Sequence, residues 1–186
     1  MDDPNADPDD LRKALAGIRR INHLLGYTWT AVRYLDRFSR TWQPNRTYRL
    51  LDIATGSGDT AEGILDWADR RGRDVRVIAV DLHAGTLADS RRRLTDPRLS
   101  FIRGNALSLP LADGAVDYAF TSLFLHHLGN DQIVTAMQEM SRVVTGGVFI
   151  ADLLRKRRAY AWIKLLTAFA NPITSPGHAL SSVARC

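Results

Sequence analysis

Residues Leu50 to Ala61 read Leu-Leu-Asp-Ile-Ala-Thr-Gly-Ser-Gly-Asp-Thr-Ala, and no other stretch constrains the fold as much. Leu50, Leu51, Ile53 and Ala54 form the short apolar run of a strand buried on both faces. Gly56 and Gly58 follow it. Glycine there permits positive φ and lets the backbone come close to a ligand. Asp59 stands where it would cap a helix running through Ile64, Leu65 and Ala68 to Arg71, with Gly72 just past its end. Strand, glycine turn and helix N-terminus together make the nucleotide-binding geometry of doubly wound α/β folds.

The glycine spacing alone does not choose a ligand. Gly56-x-Gly58-x-x-Ala61 also fits a dinucleotide fingerprint, in which a pyrophosphate rests on the helix N-terminus. Asp52 argues against that, because its carboxylate would repel a pyrophosphate a few ångströms away. It suits a ligand with a cationic amine and no phosphate, such as S-adenosylmethionine. The plainer alternative is that Asp52 only accepts hydrogen bonds from the turn. The next strand, Val75 to Val80, ends at Asp81. That lies about twenty residues past the glycines, where an acid meets ribose hydroxyls. Alternatively Asp81 caps the following helix, Ala84 to Leu94.

Further along come Ala79-Val80-Asp81-Leu82 and Gly104-Asn105-Ala106-Leu107-Ser108-Leu109-Pro110-Leu111, then Asp113-Gly114-Ala115-Val116-Asp117. Ser122 to Leu128 contains the pair His126-His127, and Met140-Ser141-Arg142-Val143-Val144 precedes Gly146-Gly147. With Leu51 to Asp59, these ordered pieces resemble the class I S-adenosylmethionine-dependent methyltransferases. Within them they are similar to ubiquinone/menaquinone-type and polyketide-pathway small-molecule enzymes. The resemblance implies a Rossmann-like parallel sheet of order 3-2-1-4-5, with the cofactor at the switch point above strand one. It implies S-adenosyl-L-methionine as cofactor, held by Asp52, Ala54, Thr55, Gly56, Gly58, Asp81, Leu82, Asn105, Ala106 and Thr121. Leu82 and Ala106 would flank the adenine and Asn105 would hold its amine, where the family often has Asp. An ordinary Gly-Asn turn is the alternative at Asn105. The chain also stops before the family's usual C-terminal hairpin, so the strand-five edge is expected to be exposed, in a protein that is C-terminally shortened or else completes its sheet through a homodimer.

The fourth strand would present Thr121 and then His126 and His127 to the transferred methyl group. Methyl transfer to a protonated acceptor needs a base, and His serves near neutral pH. Both histidines are therefore candidate catalytic residues, with backbone-bonded packing as the alternative. No metal site is expected. Adjacent histidines point different ways, and no other His, Cys or carboxylate stands nearby at ligand spacing.

The remaining sequence organises around this core. An acidic tail, 1–8, is expected to be disordered, and helices over Asp9–Leu25 and Thr28–Thr41 form a cap within 9–43. The catalytic domain occupies 44–186, with strands Tyr48–Ala54, Val75–Val80, Leu99–Arg103, Ala115–Thr121 and Gly147–Asp152. Past these, Ala159 to Ala170 reads as a greasy helix behind Arg155-Lys156-Arg157-Arg158. Together with the family branch, that helix points to a hydrophobic aromatic acceptor, phenol or quinone-like. The single cysteine, Cys186, and the acidic start fit a cytoplasmic protein rather than a disulfide-bearing one. The net charge of +5 does not argue for nucleic acid, because groups such as Arg70-Arg71 and Arg91-Arg92-Arg93 read as solvated helix faces. Two other function classes stay open: an NAD(P)-dependent oxidoreductase, and a non-catalytic cofactor- or partner-binding homologue.

Overall fold

The computed structural model describes Ala16, Gly17, Arg19 and residues 27–152. Helix α1 (Tyr27–Phe38) runs into a short 3-10 helix, Ser39–Thr41, and then to β1 (Tyr48–Ile53). Next come α2 (Asp59–Arg71), β2 (Val75–Asp81), α3 (Ala84–Arg93) and β3 (Leu99–Arg103). A long loop leads to β4 (Val116–Ser122), the 3-10 turn Leu125–His127, α4 (Asn130–Val143) and β5 (Val144–Ala151). The strands form one sheet in the order β3-β2-β1-β4-β5, every neighbouring pair parallel. This is the expected 3-2-1-4-5 order. The chain leaves β1 toward β3 and then crosses back to β4, which puts a switch point, and so a cleft, at the carboxyl ends of β1 and β4.

Alternation along the central strands builds two cores. Leu50 and Phe120 face α1 and α2 and pack with Leu35, Trp42, Tyr48, Ile64 and Trp67. Leu51 and Ala119 face α4 and pack with Ile53, Val80, Met140 and Val143. Trp42 stacks on Tyr48 at 3.9 Å and donates its indole N–H to the Tyr118 hydroxyl. α1 lies so close to α2 at Gly63 that a Cβ there would meet the Thr28 methyl at 2.1 Å. No described helix is long and apolar enough to cross a membrane.

Several local expectations need correction. β1 ends at Ile53, because Ala54 turns into the left-handed region with φ 55. Asp59 is the first residue of α2 rather than its cap. Gly58, with φ 77, holds the N-cap position, and no side chain caps the helix there. Strand five starts at Val144 instead of Gly147, so α4 passes straight into β5. Gly146 lies inside the strand, where a Cβ would stand 2.7 Å from the Asp117 carbonyl oxygen. The acidic tail, most of the first cap helix, Arg155–Arg158, the greasy helix Ala159–Ala170 and everything beyond lie outside the described residues. Within the described sheet β3 and β5 are the edge strands.

Candidate functional site

At the end of β1 the Asp52 side chain is almost fully buried, 2 % exposed. It accepts the Thr55 hydroxyl at 2.6 Å. Among the described residues no cationic side chain pairs with it. Burial pushes its carboxyl up to about 7; the bonds from Thr55 and the Ala61 backbone oppose this, and the charges of Asp81 and Asp59 add to it. Beyond Asp52 the glycine turn is pinned from several sides. Thr55 N–H donates to the Val80 carbonyl, and Gly56 N–H donates to Asp81 Oδ2 at 2.9 Å. Gly56 has φ 54 and would carry a Cβ into open space, with nothing within 4 Å. That opening above the loop is room for a ligand.

Asp81, at the end of β2, is also buried. Its other oxygen accepts the His83 N–H at 2.9 Å, so it supports the turn rather than capping α3, whose N-cap residue is His83. Each carboxylate oxygen keeps a lone pair for a further donor. Leu82 beside it is 51 % exposed. Across the cleft, Ala106 and Leu109 are buried in the α4-side core. Asn105 is exposed, and its Oδ1 already accepts the Leu107 N–H at 2.9 Å, the bond expected of an Asn turn. Buried carboxyl groups at Asp52 and Asp81, the glycine turn between them and the exposed Leu82 thus meet at the carboxyl ends of β1 and β2.

The back of the glycine turn rests on residues the sequence reading assigned to solvent. Arg91 and Arg92 are exposed as expected, but Arg93 turns inward. It donates to the Ser57 carbonyl, to Glu62 at 2.7 Å and to Asp59. Ser90 donates its hydroxyl to the Gly56 carbonyl at 2.9 Å. Leu94 stands where a Gly58 Cβ would be, 2.7 Å away.

On the other side of the switch point, Thr121 is buried and its hydroxyl has no hydrogen-bond partner. Leu123 follows with φ 52, held by its N–H to the Ala151 carbonyl. Such left-handed non-glycine residues cost about 1–3 kcal/mol and gather at functional sites. The two histidines then separate. His127 is exposed, with its ring 4.0 Å from that of His126. His126 Nδ1 lies 2.7 Å from Asp152 Oδ1, and its backbone N–H donates to the other oxygen of the same carboxylate. Both side chains are 15 % exposed. Asp152 is a partner that the sequence analysis does not single out. Asp152 closes strand five, and neighbouring parallel strands finish at one edge of the sheet. That adjacency was the signal available for finding it.

A groove of about 320 Å³ runs between α1 and the ends of β4 and β5. Tyr34, Phe38, Phe120 and Phe149 line it, with Thr30 and Ser122 as polar points. Phe38 meets Phe149 edge-on at 4.9 Å, and Phe120 stacks on Phe149 at 4.8 Å. All the anticipated site residues thus stand at the carboxyl ends of the strands. Asp52 through Gly58 and Asp81–Leu82 form one wall, and Thr121 and His126 the opposite one, with Asn105 and Ala106 at the far end.

The family described as Methyltransferase domain matches residues 50–147, just over half of the chain. A curated relative, the ubiquinone/menaquinone biosynthesis C-methyltransferase UbiE of Methylobacterium nodulans, is 37 % identical over 115 residues, covering 58 % of this chain and 43 % of that protein. The chain spans less than half the length of the curated relatives it matches. Among solved structures, a putative S-adenosyl-L-methionine-dependent methyltransferase from Methanococcus maripaludis superposes with TM-score 0.63 at 15 % identity, covering 92 % of this chain and 76 % of its own. The CMeT domain of the citrinin polyketide synthase gives 0.59 at 19 %, over 76 % and 45 %. At such identities the structures speak for the fold alone. Taken with the matched segment, which holds β1 through the start of β5, they make the assignment plain: the chain belongs to the methyltransferase-domain family, in the class I S-adenosylmethionine-dependent group.

Proposed function

We propose that the chain methylates a small hydrophobic aromatic acceptor, a phenol or quinone-like ring, with His126 as general base. The observation that carries this is the His126–Asp152 contact, made by residues that follow β4 and β5, whose ends line the aromatic groove. A carboxylate at Nδ1 takes the N–H of that nitrogen and leaves Nε2 as the proton acceptor. The second bond, from the His126 backbone to the same carboxylate, fixes the ring against the end of β5. A flat acceptor lying among Tyr34, Phe38 and Phe149 gains edge and stacking contacts with these rings. Its acidic hydroxyl would give a proton to His126 Nε2, leaving electron density on oxygen or on the ring carbon beside it.

S-Adenosylmethionine, when bound, supplies an electrophilic methyl on a sulfonium centre, so that alignment carries most of the catalysis. Asp52 would receive its amine, Asp81 the ribose hydroxyls, and Leu82 with Ala106 the faces of the adenine. Ala54, Thr55, Gly56 and Gly58 would form the backbone wall, and Thr121 would border the reacting end. The relative from Methylobacterium nodulans is named a C-methyltransferase, which favours carbon as the acceptor atom. A dinucleotide cofactor is disfavoured by the buried Asp52 beside the loop that would carry its pyrophosphate.

The test is a calorimetric titration with S-adenosylmethionine, S-adenosylhomocysteine and NAD. It is paired with labelled methyl transfer to a hydroquinone and to a naphthol. Binding of the first two ligands and labelled product are expected. Binding of NAD alone overturns the reading, and binding without any transfer assigns the chain to the non-catalytic class.

A further inference from the structure

We propose that Arg142 and Glu139, on the last turns of α4, are positioning residues for the cofactor, holding the loop after β3 in the shape that receives the adenine. The proposal rests on the cofactor placement above. The loop, residues 104–115, contains no helix and only an isolated bridge between Asn105 and Ser108. A segment of this kind keeps a single shape only if its backbone groups are tied elsewhere.

The ties come from one short piece of helix. Glu139 Oε2 accepts the Leu109 N–H at 2.7 Å. Arg142 donates through Nη2 to the Leu109 carbonyl, and through Nη1 to the Leu111 carbonyl and the Asp113 carboxylate, both at 2.8 Å. Glu139 in turn takes Nε and Nη2 of the same guanidinium at 2.8 and 2.7 Å. The Arg142 backbone carbonyl accepts the Gly114 N–H. The two side chains stand three positions apart and meet on one face of the helix. The Arg142 bonds hold the Glu139 carboxyl down at about 2, so the pair stays charged at any working pH.

The geometry also says which part of the loop faces the cofactor. Leu109 to Gly114 is bound to α4. Gly104 N–H donates to the Asp81 carbonyl at 3.0 Å, tying the loop's start to the ribose-directed acid. Residues 105–108 lie between these anchors, with Asn105 exposed and Ala106 packed on the α4-side core, and this is the stretch that the proposal assigns to the adenine. A planar fork that spans three loop residues is not reproduced by an ammonium. α4 begins just past the His126–His127 turn, so one rigid helix sets both the adenine loop and the histidine turn.

The experiment uses the chain as it stands. Wild type, Arg142→Met, Arg142→Lys and Glu139→Gln are titrated calorimetrically with S-adenosylhomocysteine and with adenosine. Melting temperatures are recorded in parallel. Arg142→Met is expected to raise both dissociation constants at least tenfold, Arg142→Lys by less, and Glu139→Gln severalfold. A pair that only stabilises the fold would lower the melting temperature and leave the affinities of folded protein unchanged, and that result overturns the proposal. If Arg142→Met does not fold, Glu139→Gln decides by the same criterion. Wild type that binds neither ligand refutes the cofactor placement itself, an outcome distinct from wild-type binding with unaltered variants.

Discussion

The two walls of the cleft are built on different principles. On the cofactor wall, contacts are made by backbone N–H groups and by near neighbours. Asp52 meets Thr55 three residues on, and Asp81 gathers the Gly56 and His83 amides. On the acceptor wall, contacts are between side chains brought together by the fold. Asp152 reaches His126 from the next strand, and Phe149 of β5 meets Phe38 of α1 across most of the sequence. The first wall is a local property of strand-turn-helix chemistry. The second exists only once the sheet register is set. Changes to one wall should therefore leave the other's observable nearly untouched.

The largest expected effect is on the acceptor wall. Replacing His126 with Ala should lower turnover by roughly 10²–10⁴-fold while leaving the dissociation constant of S-adenosylhomocysteine near wild type. Single-turnover transfer and calorimetry measure the two quantities separately. A matching loss in both would mean that the walls are not separable. Asp152→Asn sharpens the point. An amide N–H facing Nδ1 favours the wrong tautomer, so turnover should fall with cofactor affinity retained. Wild-type turnover in Asp152→Asn would reduce the contact to packing.

The cofactor wall is expected to answer in binding. Asp81→Ala removes two charge-assisted bonds to ribose, about 1.5–3 kcal/mol each before solvent compensation. It also orphans the Gly56 and His83 amides, which loosens the glycine turn. The dissociation constant of S-adenosylhomocysteine should rise at least tenfold. Unchanged affinity in folded protein would remove ribose recognition from Asp81.

The same contrast explains what was legible in the sequence. The strands could be read because apolar runs, glycines and strand-end acids are local signals, and their order is what the family resemblance implies. Ala54 and Leu123 could not be read as left-handed residues, since neither type advertises positive φ. The strand start at Gly147 fell short of Val144 because glycine carries no strand signal, while the constraint on Gly146 is the Asp117 carbonyl and the Tyr118 ring of the adjacent strand. Arg93 looked like one of three solvated arginines, and its inward direction follows from how α3 lies against the glycine turn. The pairing of α1 with β5 along the groove is one that no periodicity reveals.

The smallest expected effect is a pH dependence confined to the cofactor wall. Asp52 is pushed up to about 7 by burial, whereas an unfolded chain has it near 3.8. Between those values the folded protein holds a proton that the unfolded chain has lost, so stability without ligand should fall as pH rises through this window. A cationic amine needs the ionised carboxylate and reverses the preference. Affinity for S-adenosylhomocysteine should therefore increase with pH, by about tenfold between roughly pH 6 and pH 8 if only the ionised form binds. Asp52→Asn should bind more weakly and show a flat profile. Adenosine, which has no such amine, should show little pH dependence in either protein. Calorimetry at several pH values resolves all four curves. A flat wild-type profile for S-adenosylhomocysteine would mean that the amine is held elsewhere. Asp52 would then be a support for Thr55 alone, and the cofactor wall would lose the one contact that distinguishes its ligand from a dinucleotide.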